Sequence, residues 1–250
     1  MSPIIVIGGG AAGIIAAWRA ASCGAKVLLL ERNKKLGVKL LISGGGKCNI
    51  THAGTMEHIS AAFVQREARF LKPSFYRFSN WDIVRMIEES GVKTMTRANG
   101  RVFPENGTAD DVVNALGEYL RMSGVEVRLN ARATGILAKN EMVVGLRLGN
   151  ETIPGSQIIL ATGGASYPKT GTTGDGFLWA QQMGHAIEPI RAALAPISVE
   201  LKLPEDWRGI PLRDGNVTVF ADGKKIQEWR GDILFSHEGI TGPAALEVSR

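Results

Sequence analysis

The period of the apolar positions changes along the chain, and the changes mark its elements. Pro3-Ile4-Ile5-Val6-Ile7 is a continuous, mostly β-branched run, the pattern of a strand buried on both faces. Ile14 to Ser22 is a stretch of small and apolar residues closed by Gly24, which predicts a helix with glycine just past its C-terminus. Lys26-Val27-Leu28-Leu29-Leu30-Glu31 predicts a second buried strand, so the first part of the chain reads as a βαβ unit. Helical spacing returns from Trp81 to Ser90, ended by Gly91. It returns again after Thr108, where Asp111 completes a capping arrangement and Val112, Val113, Leu116, Tyr119 and Leu120 form one apolar stripe up to Gly124. Between these helices, Gly100-Arg101-Val102-Phe103-Pro104 reads as a loop bordering a site.

From Val125 the period falls to two. Val125 to Leu129 alternates as a strand, and Thr134–Ala138, Met142–Leu148 and Glu151–Ile153 follow as a β-meander with Asn or Gly at the turns. Gln157-Ile158-Ile159-Leu160-Ala161 is another buried-type strand, running into Thr162-Gly163-Gly164. A second domain is expected from about residue 190. There Ala192 to Ile197 leads into alternating strands such as Val217–Phe220, with a hairpin turn at Asp222-Gly223 and a helix starting at Pro243.

Composition narrows the class. With 44% hydrophobic and 21% charged residues the chain is an ordinary globular one, which excludes a disordered tail protein. Two cysteines, Cys23 and Cys48, cannot build a disulfide framework, so a reducing, cytoplasmic setting is expected. No basic region precedes the N-terminal apolar run, glycines interrupt it, and it falls short of the ~20 apolar residues of a spanning helix, so no membrane is expected. The net charge of +5 is spread out, with pairs only at places such as Lys34-Lys35 and Lys224-Lys225, which predicts solvated surface and no nucleic-acid partner. Glycine is in excess: 31 residues, where average usage would give roughly 17.

The first glycine cluster, Gly8-Gly9-Gly10-Ala11-Ala12-Gly13, contains Gly-x-Gly-x-x-Gly between a strand and a helix, the context that gives this pattern meaning. Gly8 permits the tight turn, Gly10 lets backbone approach a pyrophosphate, and Gly13 lets the helix pack closely. Glu31 stands at the end of the second strand, where a carboxylate accepts hydrogen bonds from adenosine ribose hydroxyls and repels a 2′-phosphate. Arg32 has two readings, against an adenine or solvated.

The second cluster, Ser43-Gly44-Gly45-Gly46-Lys47-Cys48-Asn49-Ile50-Thr51, is not a P-loop, because Leu41 and Cys48 occupy its two anchor positions. Its bare backbone can wrap an anionic or planar ligand, the alternative being a plain surface loop. Cys48 and His52 are too few to hold a metal, and Cys48 reads as a small packed residue rather than a reactive thiol.

These features together resemble the two-dinucleotide-binding-domain flavoproteins related to glutathione reductase. Several segments are more specific: Ser43 to Thr51, Gly100 to Pro104, Gly163 to Gly171, Gly174-Asp175-Gly176 and Phe235 to Pro243. With them the chain resembles the bacterial FAD-dependent oxidoreductases of the aminoacetone-oxidase-like and bile-acid-reductase-like kind.

The resemblance implies an α/β fold: a Rossmann-like FAD-binding domain with a β-meander over 1–190, and the start of an inserted β-barrel domain over 191–250. It also implies that the family's chains continue through a helical lobe and the rest of the barrel, so that this chain would be an N-terminal portion whose partner is the missing C-terminal part. FAD would be held non-covalently. Gly8, Gly10, Ala11, Ala12 and Gly13 would meet the pyrophosphate, and Glu31 and Arg32 the adenosine end. Ser43, Gly44, Gly45, Gly46, Cys48 and Asn49 would lie along the flavin, the Ala133 backbone would face adenine, and Thr162 and Gly163 would line the site. A small organic substrate is expected, with NADH or NADPH as a transient donor. The rival reading is a flavin-containing binding protein or RNA modifier in which FAD is structural. No catalytic residue is assigned, because no Ser-His-Asp set or carboxylate pair is recognisable.

Overall fold

The computed structural model describes residues 2–249 and divides into two compact units, Met1–Ile187 and Glu188–Arg250. The first is built on the strand β1 (Ile4–Ile7), the helix α1 (Ala11–Ser22) and the strand β2 (Val27–Leu30). A parallel sheet of four strands runs in the order Gln157–Leu160, β1, β2, Glu126–Arg128. Ile4 pairs with both Gln157 and Val27, so the two central strands and the returning strand end level with one another.

The continuous apolar runs of β1 and β2 are explained by layers on both faces. Val6, Val27 and Leu29 point to one face and pack with Ile14 and Ala17 of α1 and with Val112, Leu116 and Leu120 of the helix Ala109–Met122. Ile5, Ile7, Leu28 and Leu30 point to the other and pack with Ala133, Leu146 and Ile153 of an antiparallel meander, and with Trp179. The meander strands are Ala133–Lys139, Met142–Leu148 and Glu151–Pro154. Neither face of the central sheet is left to water, so neither could alternate with polar residues.

The stretch 100–104, expected as a loop, is mostly strand. Arg101–Pro104 is the middle of a three-stranded antiparallel sheet between Thr51–His52 and Thr94–Thr96, with Val102 and Phe103 buried. Its short Val-Phe core gave no visible alternation, and it is held from both sides by partners distant in sequence. The expected capping arrangement of Thr108 with Asp111 opens Ala109–Met122, and a second one that the sequence reading did not single out, Ser79 with Asp82, opens the helix Asn80–Glu89. Four further helices were not read from the sequence: Val38–Ile42, Met56–Ala61, Gln65–Arg77 and Asp175–Gln182.

In the second unit an antiparallel sheet is ordered Ile197–Ser198, Gly239–Thr241, Lys224–Phe235, Pro211–Ala221. The long hairpin turns at Asp222 and Gly223, both at positive φ as the tight primed turns require. The helix Pro243–Val248 packs on this hairpin with Ala244 and Ala245 fully buried.

Candidate cofactor-binding site

A cavity of about 640 Å³ opens at the carboxyl ends of three parallel strands, marked by Ile7 and Gly8, by Leu30 and Glu31, and by Leu160 and Ala161. Open α/β sheets bind ligands at this edge, because the chain there turns outward into loops and helix N-termini. The N-terminus of α1 faces it through Gly10, Ala11 and Ala12.

The glycines of the first cluster do different things. Gly8 has φ +111°, and a Cβ on it would stand 2.3 Å from the Ala161 carbonyl oxygen. A Cβ on Gly13 would stand 1.8 Å from the Gly8 carbonyl oxygen, so bare backbone is what lets α1 lie against the turn. Gly13 is buried behind the cavity wall. A Cβ on Gly10 would meet nothing within 4 Å, so its missing side chain is not needed for packing. The N-cap of α1 carries no side-chain hydrogen bond and its first turn has no acidic residue. Its free amide groups and the helix dipole are therefore suited to an anion.

Glu31 is buried, 6% exposed, and lines the cavity. Its Oε2 accepts from the Gly9 amide at 2.6 Å and its Oε1 from the Asn33 amide at 2.7 Å. It thus fastens the glycine turn to the end of β2, and each oxygen keeps acceptor capacity for a ligand hydroxyl. Arg32 is not free in solvent. Its Nη1 donates to the Gly171 carbonyl at 3.1 Å and to Thr173 Oγ1 at 3.0 Å, and pairs with Asp175 at 3.4 Å. Asn33 Nδ2 donates to the Thr170 carbonyl at 3.1 Å and Lys39 Nζ to the Ser166 carbonyl at 2.9 Å. These three side chains, all from the stretch after β2, tie the 166–175 loop across the cavity mouth.

The second glycine cluster divides. Ser43 and Asn49 are on the cavity wall, with Ser43 Oγ donating to the Leu40 carbonyl at 2.8 Å. Gly44, Gly45 and Gly46 are exposed at positive φ and do not reach the wall. Gly44 is tight for another reason: a Cβ there would stand 2.7 Å from the Phe103 ring. Cys48, expected along the flavin, is turned into the core instead and is fully buried with Val6, Ile14 and Ile87. Burial pushes its thiol pKa up, so it stays protonated and unreactive. Ala133, Thr162 and Gly163 all line the cavity.

The residues missed in the sequence include Asn33, Val38, Lys39, Thr170, Thr172 and Asp175. The Thr-Gly-Thr-Thr-Gly-Asp run at 170–175 is the signal that could have found the last three. His52 is engaged locally, its Nδ1 accepting from the Gly54 amide at 3.0 Å and its Nε2 lying 3.2 Å from the Asn99 carbonyl. Among the described residues no three His, Cys, Asp or Glu side chains gather, and no helix is long and apolar enough to cross a membrane.

A parallel sheet with a glycine turn, an uncapped helix N-terminus and an acidic second-strand end defines a Rossmann-type dinucleotide-binding domain. The chain belongs to the HI0933-like protein Rossmann domain family, which matches residues 2–241. It is 31% identical over 245 residues to a ribosomal RNA dihydrouridine synthase of Escherichia coli (strain K12), covering 98% of this chain and 60% of that protein. It is 28% identical over 252 residues to a 3-dehydro-bile acid delta(4,6)-reductase of Clostridium scindens, covering 100% of this chain and 60% of that protein. The chain thus spans about 60% of the length of these curated relatives. A flavocytochrome c3 fumarate reductase in its open conformation shares the fold with a TM-score of 0.51 at 21% identity, over 73% of this chain and 40% of that one.

Proposed function

We propose that this chain is the cofactor-holding portion of an FAD-dependent oxidoreductase, in which residues 1–190 bind the dinucleotide and residues 191–250 begin a substrate-facing domain. The observation that carries the proposal is the open N-terminus of α1 at the cavity, uncapped, free of acidic residues and bare at Gly10. Such donors fit a pyrophosphate, and Glu31 beside them fits a ribose. Ala131 to Ala133 would border the adenine end, and Ser43, Asn49, Thr162 and Gly163 the flavin end. When bound, FAD supplies the two-electron hydride chemistry. The residues of this chain would orient it, with Arg32, Asn33 and Lys39 fixing the 166–175 loop at the cavity. This chain carries one Gly-x-Gly-x-x-Gly after a strand, which supports NADH or NADPH as a transient visitor rather than a resident.

The test is direct. The freshly purified chain is expected to show flavin absorbance, or to gain it on incubation with FAD and keep it through gel filtration. A wild-type chain that takes up no FAD would sink the proposal.

For the substrate, we favour an RNA base over the small organic molecule expected from the sequence. The observation behind this preference is that two relatives, at 31% and 32% identity and each over 98% of this chain, are ribosomal RNA dihydrouridine synthases. The bile-acid reductase, at 28%, supports the small-molecule reading. Mass spectrometry of ribosomal RNA from cells with and without the gene separates them: loss of a dihydrouridine is expected, and an unchanged modification pattern returns the choice to a small substrate.

A further inference from the structure

The helix Gln65–Arg77 turns an unusual face to water. Ala68, Leu71 and Phe75 lie on its inner side, half-buried, with the Phe75 ring 5.9 Å from that of Phe63. At about 3.6 residues per turn the opposite side gathers Arg66, Arg69, Phe70, Pro73, Tyr76 and Arg77 into one stripe, with Lys72 at its edge. The helix holds four basic residues against the single acid Glu67, which falls to the side of the stripe. Phe70 is 82% exposed and Tyr76 is 68% exposed, and Lys72 Nζ lies 5.9 Å from the Tyr76 ring centre. Among the described residues Arg69, Lys72 and Arg77 make no ion pair.

Two large aromatic rings standing in water cost free energy unless something covers them, and the cations Arg69, Lys72 and Arg77 beside them favour an anionic partner. Aromatic faces for bases and cations for phosphates are the two components of single-strand recognition. The pattern is not that of a membrane-surface helix, which keeps its apolar residues on one face and its basic residues on the other; here Phe70 and Tyr76 are interleaved with arginines on a single side. Here the aliphatic residue Leu71 faces the protein. The scattered charge of the linear sequence hid this stripe, because its members are three and four residues apart and interleaved with inward-facing ones.

We propose that the outer face of the Gln65–Arg77 helix docks single-stranded RNA, with Phe70 and Tyr76 stacking on bases and Arg69, Lys72 and Arg77 contacting phosphates. The proposal rests on the RNA reading of the substrate given above and names the surface that would hold it.

The test uses the full chain with two probes: a fluorescein-labelled single-stranded oligouridylate, and vesicles of phosphatidylcholine with phosphatidylglycerol. F70A and Y76A are each expected to weaken oligouridylate binding at least about fivefold at fixed salt, with the salt slope unchanged. R69Q/K72Q is expected to reduce the slope of log K against log salt by about 1.4, about 0.7 for each phosphate of a single strand that is no longer neutralised. The altered side chains face outward, so the thermal midpoint is expected to hold and serves as the fold control. If one aromatic variant fails to fold, the salt slope of R69Q/K72Q decides. Variants that bind as wild type does would overturn the docking surface while leaving the RNA reading standing. A wild-type chain that ignores oligouridylate would overturn both. Binding to the vesicles without binding to oligouridylate would assign the face to a membrane and overturn the proposal.

Discussion

Glu31→Gln separates two duties of one carboxylate, bracing the glycine turn and holding a cofactor ribose. Both oxygens are engaged in the folded chain, Oε2 by the Gly9 amide at 2.6 Å and Oε1 by the Asn33 amide at 2.7 Å, in a residue 6% exposed. Glutamine keeps one carbonyl oxygen and turns an NH2 group toward the other amide, so one buried donor loses its acceptor. A hydrogen bond to a charged group contributes about 1.5–3 kcal/mol, and E31Q is expected to cost about that much stability in the cofactor-free chain. At about 2–4 °C per kcal/mol for a domain of this size, the Tm should fall by about 3–12 °C. Alanine would remove both acceptors and about 3–6 kcal/mol. Against a typical total of about 5–15 kcal/mol that approaches unfolding, so glutamine is the informative change. Urea unfolding without ligand measures the bracing. Affinities for FAD and FMN measure the rest, because a loss through the turn is common to both ligands and a loss at the ribose touches FAD alone. An unfolding free energy within ~0.5 kcal/mol of wild type would refute the bracing role. Equal proportional losses for FAD and FMN would refute the ribose role.

Three further outcomes follow from the same structure. Gly10→Val should leave folding intact, since nothing stands within 4 Å of a Cβ there, yet abolish retained flavin; Gly13→Ala should destabilise the apo-chain by about 1–3 kcal/mol because its Cβ would stand 1.8 Å from the Gly8 oxygen. Urea melts and gel-filtered absorbance check both, and a G10V chain that keeps its flavin would place the pyrophosphate elsewhere. In the native chain a thiol reagent should titrate exposed Cys23 rapidly and buried Cys48 only after unfolding, and two equally fast thiols would contradict the packing. The carboxyls of Asp82 and Asp111 are held below the usual 3.8 by hydrogen bonds from Ser79 and Thr108 at their helix starts. Their caps are therefore fully stabilising above the ordinary aspartate range and are lost as pH falls through the lowered values. An acid-unfolding profile that D82N/D111N leaves unchanged would argue against this.

Much of the architecture was legible because it is local or periodic. Runs such as Ile4–Ile7 and Val27–Leu30 could only be strands covered on both faces, the meander announced itself by alternation and turn residues, and one helix start was written as the Thr108/Asp111 pair. The helix Gln65–Arg77 was not read from the sequence: its inner stripe is only Ala68, Leu71 and Phe75, and Pro73, a helix breaker by itself, stands inside it among basic residues. The strand Arg101–Pro104 was missed because its pairing partners, not its own composition, make it a strand.

What the sequence determined by itself was the βαβ turn with its spacing of glycines and acid, since backbone freedom and strand period are properties of adjacent residues. What only the tertiary structure decided was how each of those residues is used. Gly10 and Gly13 look alike in a motif, yet one opens on the cavity and the other bears on the Gly8 carbonyl, because a neighbouring turn stands against one side of the helix and not the other. Arg32 reaches partners 139 to 143 residues away, Glu31 an amide 22 residues away, and Cys48 a core assembled from both ends of the domain. Those distances along the chain are closed only by packing two layers onto the sheet, so no local pattern could carry them.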